Sequence, residues 1–195
     1  MAGKITGAFG AKGKPGGEAI AERLTELAGG IKSSATSERG LEARLKYLTN
    51  SPAGYQAMER AGISVTPRTL IAWLAGDRDP NKANRGRIDA AYADLRRRNV
   101  AKSLKKRLSN NGRGTRVEVH PITQAGVTPS RQRDLSRNPN LRKVNIRPNQ
   151  WDRLVDQWAA GDLDAMNAEW EDIAEDTLGS DWGAYTSVSA IGFGA

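Results

Sequence analysis

The chain is 195 residues long, with 38% hydrophobic residues, no cysteine and a formal net charge of +8. That length suffices for one substantial core or two small ones, and the composition belongs to soluble globular chains with some disordered sequence. Without thiols there are no disulfide staples, thiolate metal sites or cysteine nucleophiles, and no apolar run nears the roughly 20 residues needed to span a bilayer.

The modest total conceals a division. Residues 151–195 hold ten carboxylates and one arginine, whereas residues 1–150 hold 29 Lys/Arg against 12 Asp/Glu. A strongly basic body is thus followed by an acidic end. The opening residues lack a continuous apolar export segment, and the absence of cysteine suits a reducing compartment, so a cytoplasmic, nucleoid-associated location is expected.

Gly3 to Gly17 is rich in glycine and lysine and reads as a mobile basic arm; its Gly10-Ala-Lys-Gly-Lys14 lacks the spacing of a phosphate loop. Glu18 to Ala28 places Ile20, Leu24 and Leu27 on one helical face, Gly29-Gly30 ends that helix, and Ile31 to Thr36 reads as a linker. A helical domain is predicted next. Ser37 caps a helix to about Thr49 with Leu41, Leu45 and Leu48 on one face. Pro52 begins a second helix, with Tyr55 and Met58 inward and Gly62 breaking it. Thr66-Pro67 opens a third, in which Leu70, Trp73 and Leu74 face the core and Gly76 ends it. Arg87 to Lys106 predicts a longer helix packed through Ile88, Tyr92, Leu95 and Val100.

Asn110-Asn-Gly-Arg-Gly114 breaks that helix, and Arg116 to Ile122 and Lys143 to Arg147 read as strands around a polar loop. Gln150 to Ala160 and Leu163 to Leu178 then predict two helices joined at a capping Asp162. Their apolar stripes are Trp151, Leu154, Val155 and Trp158 on the first, and Leu163, Met166, Trp170, Ile173 and Thr177 on the second. Trp182, Tyr185 and the small-residue tail receive no assignment. The expected fold class is mainly α (α+β). A mobile arm with a short helix spans 1–36, and a helix-turn-helix domain with a basic helix spans 37–109. A small two-stranded plus paired-helix domain follows over 110–182, and a tail over 183–195.

Arg96, Arg97, Arg98, Lys102, Lys105, Lys106, Arg107, Arg113 and Arg116 follow one another with no carboxylate between them. A partner that neutralises so many close charges is polyanionic, and nucleic acid matches their linear spacing. Just upstream, Ala57-Met-Glu-Arg-Ala-Gly62 and Pro67-Arg-Thr-Leu-Ile-Ala-Trp-Leu74 have the parts of a helix-turn-helix, with a turn two residues longer than the common form. The outward residues opening its second helix are Thr66, Arg68, Thr69 and Ala72: Arg68 can fork onto a guanine, and Thr69 and Ala72 suit a thymine methyl group. Arg78, Lys82, Arg85 and Arg87 would then hold phosphates. Engagement of about six such charges predicts a log K against log salt slope near −5.

Catalytic constellations are poor, and the chain is not expected to be an enzyme. The lone His120 has no evident partner, so a structural role is expected of it. Asp162 and Asp164 are explained by a cap and a solvated carboxylate, so no metal or cofactor is called for. Trp73, Trp151, Trp158 and Trp170 fall at helical spacing and read as core.

The order of helix-turn-helix, basic helix, two strands around a polar loop and paired acidic helices resembles the telomere terminal proteins of actinobacterial linear chromosomes and plasmids. The resemblance runs from about Leu41 to Trp182. It is carried by Arg44-Leu-Lys-Tyr-Leu48, Arg68-Thr-Leu-Ile-Ala-Trp-Leu74, the basic run, Arg147-Pro-Asn-Gln-Trp-Asp-Arg-Leu154, Trp158-Ala-Ala-Gly-Asp162 and Ile173-Ala-Glu175. It implies a protein that binds duplex and single-stranded DNA ends of a linear replicon, primes end replication through a hydroxyl and stays covalently attached to the 5′ end. A DNA polymerase and an end-binding accessory protein would be its partners. The loop hydroxyls open to that role are Ser136, Thr128, Ser130 and Thr123, with Ser136 first because Arg133 and Arg137 flank it. The alternative is a helix-turn-helix transcriptional regulator of plasmid or phage origin, a homodimer joined through residues 151–178. A third expectation is that the acidic helices shield the basic body until a partner displaces them.

Overall fold

The computed structural model describes residues 5–6, 13–121, 127–132 and 142–194. The chain divides into two compact units, residues 28–100 and a discontinuous unit of residues 1–27 with 101–195. It is mainly helical, with a small antiparallel sheet.

The middle unit holds α2 (Glu38–Thr49), α3 (Pro52–Arg60), α4 (Pro67–Ala75) and the first part of α5 (Lys82–Ser109). Each start is set by a short polar side chain. Ser37 Oγ accepts the Gly40 N–H at 3.1 Å, Ser51 Oγ that of Gly54 at 3.3 Å, Thr66 Oγ1 that of Thr69 at 3.2 Å, and Asn81 Oδ1 that of Asn84 at 2.8 Å. Gly76 ends α4 in the left-handed region at φ 77°. Leu41, Leu45, Leu48, Ala57, Met58, Ile63, Trp73, Ile88, Ala91, Tyr92 and Leu95 form one buried cluster, and Leu70 and Leu74 pack against it. Tyr55, expected inward, is 49% exposed. The inward face of α3 is instead Gly54, Ala57 and Met58, because α3 approaches the end of α2 so closely that a Cβ on Gly54 would lie 1.8 Å from the Leu48 carbonyl oxygen.

The discontinuous unit contains α1 (Gly16–Ala28), the last part of α5, β3 (Thr115–Pro121), β4 (Arg142–Ile146), α6 (Pro148–Ala160), α7 (Leu163–Leu178) and β5 (Ser187–Gly194). The two strands expected from the sequence lie in a five-stranded sheet. β5 pairs antiparallel with β3 and also with two short segments, β1 (Ile5–Thr6) and β2 (Lys14–Pro15). The arm expected to be mobile is therefore tied down where it is described, and the unassigned tail is an interior strand. Val117 stands between Val144 and Phe193 in register, and all three are buried.

Against the sheet lie the expected stripes of α6 and α7. Trp151, Leu154, Val155, Trp158, Met166, Trp170 and Ile173 are all buried. Leu163 and Thr177 are exposed instead, since they sit at the two ends of α7, beyond the layer that α6 covers. The indole donors find partners: Trp151 Nε1 donates to Thr115 O at 3.2 Å, Trp158 Nε1 to Thr25 Oγ1 at 3.0 Å and Trp170 Nε1 to Tyr185 O at 2.9 Å.

Candidate nucleic-acid interface

The segment expected to be a helix-turn-helix consists of α3, a six-residue connection and α4. Ile63 in that connection is buried, which anchors the long turn to the core. At the start of α4 the Thr66 and Thr69 side chains serve the helix itself, their hydroxyl oxygens 3.0 Å apart in the cap, and Thr69 and Ala72 are half-buried. Arg68 is exposed and has no hydrogen bond or ion pair among the described residues. Ile71 is 63% exposed on the same helix. It was not among the expected site residues: within Leu70-Ile-Ala-Trp-Leu74 only the i, i+3, i+4 relation of Leu70, Trp73 and Leu74 leaves it off the core face.

Of the four cations after α4, Arg78 and Lys82 are exposed, and Arg87 holds only the Asn84 side-chain oxygen, at 3.3 Å. Arg78 lines a cleft of about 380 Å³ beside the start of α4, together with Asp79, Thr66, Thr69, Asn81 and Asn84. Arg85 is different. It donates to the carbonyls of Pro80 and Thr36 at 3.0 and 3.1 Å and pairs with Asp79 at 3.1 Å, which commits it to holding the unit together.

The basic run separates in the same way. In the middle unit Arg96 is half-buried and donates to the Ala28 carbonyl at 2.7 Å, while Arg97 is also half-buried. Arg98 pairs with Asp94 at 2.8 Å, a carboxylate shared with Arg60 at 2.7 Å. Burial pushes the Asp94 carboxyl up, but the hydrogen bonds and charges of Arg60 and Arg98 outweigh it and hold the group below its ordinary value of 3.8. In the discontinuous unit Lys105 pairs with Asp156 at 2.7 Å, and Arg116 with Glu118 at 3.4 Å. Lys102, Lys106, Arg107 and Arg113 are exposed and have no side-chain partner among the described residues. Carboxylates that flank the run, Asp94 and Glu118, and one distant in sequence, Asp156, thus answer part of a run that contains none.

Charge follows the units. Residues 28–100 hold 13 Lys/Arg against 7 Asp/Glu, whereas the remainder holds 17 against 15, so the middle unit carries most of the excess. The other candidates are less gathered. Thr128 and Ser130 are exposed on and beside a 3-10 turn, Pro129–Arg131, while Ser136 and Thr123 lie outside the described residues. His120 is half-buried beside a register shift in β3. Asp162 Oδ1 accepts the Ala165 N–H at 2.9 Å, and Asp164 is exposed. Among the described residues no group of three or more His, Asp or Glu side chains is placed to hold a metal ion, and no helix is long and apolar enough to cross a membrane.

No protein-family model matches the chain, and no curated protein or solved structure is significantly similar to it.

Proposed function

We propose that the chain is a DNA-binding protein in which α3 and α4 act as a helix-turn-helix and α4 enters the major groove. The observation that carries this reading is the outer side of α4: it holds no carboxylate, presents an unpaired Arg68, and is followed within one small unit by the available cations Arg78, Lys82 and Arg87. Arg68 addresses base edges, and the other three address phosphates. Arg85 and Arg96 drop out of the contact set because backbone carbonyls already hold them. Lys102, Lys106, Arg107 and Arg113 form a second cationic group in the other unit, suited to backbone contact without base readout.

The specific form of this function follows the resemblance noted above: a terminal protein that caps the 5′ ends of a linear replicon and primes synthesis. A loop hydroxyl attacks the α-phosphorus of an incoming nucleotide, pyrophosphate leaves, and the polymerase with its metal ions supplies the activation. Ser136 remains the first candidate and Thr123, Thr128 and Ser130 the others. The regulator reading is less well supported, because the stripes assigned to its dimer interface are buried in the unit's own core. The test is DNA purified without protease: this polypeptide should remain on the ends through denaturant. Ser136→Ala should abolish nucleotide labelling of the protein by its replication machinery. Ends free of protein would remove the priming role and leave DNA binding intact.

A further inference from the structure

We infer, on the strength of the DNA-binding reading above, that Ile71 is a specificity-determining side chain that packs on the C5 methyl group of a thymine in the major groove. Ile71 is the most exposed large hydrophobic among the described residues, at 63%, ahead of Tyr55 at 49% and Leu163 at 44%. Core packing does not require it: Leu70, Trp73 and Leu74 supply the inward face of α4. Helix propensity does not require it either, since a β-branched side chain loses χ1 freedom in a helix and is a poorer choice on a solvent face than Lys, Glu or Gln.

Its position is informative. Ile71 lies three residues after Arg68 and four before the exposed Ala75, so the three share one helical face. That face combines an unpaired guanidinium, able to fork onto guanine O6 and N7, with an apolar group one turn along. Thr69 is less suited to methyl contact because it is half-buried within the cap, and Ala72 is half-buried and short.

The surrounding charge selects the occupant. No carboxylate lies on α4. In the segment after it Arg78, Lys82, Arg85 and Arg87 outnumber Asp77 and Asp79, the latter paired with Arg85, an environment of net positive charge complementary to a polyanion. An RNA duplex fails on two counts: its deep, narrow major groove does not admit side chains, and uracil has no methyl group. Duplex DNA meets both requirements.

The experiment uses the full-length protein. A library of random duplexes of about 20 base pairs, enough to cover one such module, is enriched by binding and sequenced. In the enriched duplex each thymine is then replaced singly by uracil, which removes one methyl group and nothing else. Wild type should lose about fourfold in affinity at one position, the factor expected for a buried methyl-sized group. Ile71→Ala should bind the thymine duplex about that much more weakly or worse, be indifferent to uracil at that position, and keep the wild-type circular dichroism and melting temperature. Enrichment followed by equal uracil sensitivity in wild type and Ile71→Ala overturns the assignment while DNA reading stands. Self-association of the wild type that Ile71→Ala abolishes also overturns it, by placing Ile71 in a protein interface. Enrichment of no sequence overturns the DNA-reading role of α4 together with the inference.

Discussion

Arg44 is 93% buried, yet its guanidinium is held by one carboxylate, two carbonyls and an aromatic ring. Nε donates to Asp89 Oδ1 at 2.6 Å, Nη1 donates to the carbonyls of Ser33 and Gly40 at 2.9 Å, and the group lies 5.2 Å from the centre of the Tyr92 ring. Only a planar fork with several donors serves all four. Arg44→Met should destabilise the middle unit by about 2–4 kcal/mol in urea denaturation, because the two carbonyls lose a charged donor, and Arg44→Lys should recover less than half of that. Asp94 gives a pH dependence. A carboxylate whose folded pKa is depressed contributes stability that is present above its unfolded pKa and lost as pH falls through the folded value. Unit stability should therefore hold from neutrality to about pH 4 and decline below it. Asp94→Asn should flatten that acid limb, and an unchanged limb would show that the Arg60–Asp94–Arg98 network contributes nothing. Which residues are buried was largely legible from helical spacing, as Trp73, Trp151, Trp158 and Trp170 show. Tyr55 was not, because a nine-residue helix with few apolar positions leaves its inward face undetermined until its neighbours are known.

Helices were easier to read than strands, for a physical reason visible in β5. Caps are local: Ser37, Ser51, Thr66 and Asp162 each bond a backbone N–H three residues on, so the sequence carries the signal. β5 carries none. Its buried side chains are Val188, Ile191 and Phe193, an alternation broken by one residue where the β3–β5 register shifts at His120 and Pro121. The remaining residues are Gly, Ser and Ala, which imitate a loose tail. A comparable slip occurs in α5, where the apolar stripe of Ile88, Tyr92 and Leu95 gives way to Leu104 and Leu108 nine residues on, out of phase with a 3.6-residue turn. Deleting residues 187–195 should thus unfold the discontinuous unit, since β1, β2 and β3 all pair with β5. The check is tryptophan emission, which should shift to the red as Trp151 and Trp170 meet water. A truncated chain that keeps native emission and a native melt would refute the placement of β5.

At the scale of the whole molecule the functional claim is electrostatic. Basic residues were legible one by one. Asp94 and Glu118 stand within four residues of the cations in the run that they answer, but Asp156, 51 residues from Lys105, carried no sequence signal. Asp94, Asp156 and Glu118 pair with Arg98, Lys105 and Arg116, the Ala28 carbonyl holds Arg96, and Arg97 is half-buried. The nine positions of the basic run thus reduce to the four exposed, unpaired cations Lys102, Lys106, Arg107 and Arg113. This division has a thermodynamic consequence through counterion release. If only Arg78, Lys82 and Arg87 meet phosphates while Arg68 meets a base edge, log K should fall with log salt at a slope of about −3, and participation of the second group steepens it to about −6. The four substitutions Lys102→Gln, Lys106→Gln, Arg107→Gln and Arg113→Gln would return the steeper slope to the shallower one.

The most direct measurement is fluorescence anisotropy of a labelled DNA duplex titrated with the full-length protein from about 50 to 200 mM salt, the range over which counterion release dominates. Binding that is tight at the low end and weakens along a slope between about −3 and −6 is the expected result. No binding at the low end, or an affinity indifferent to salt, would contradict the assignment of this cationic surface to DNA.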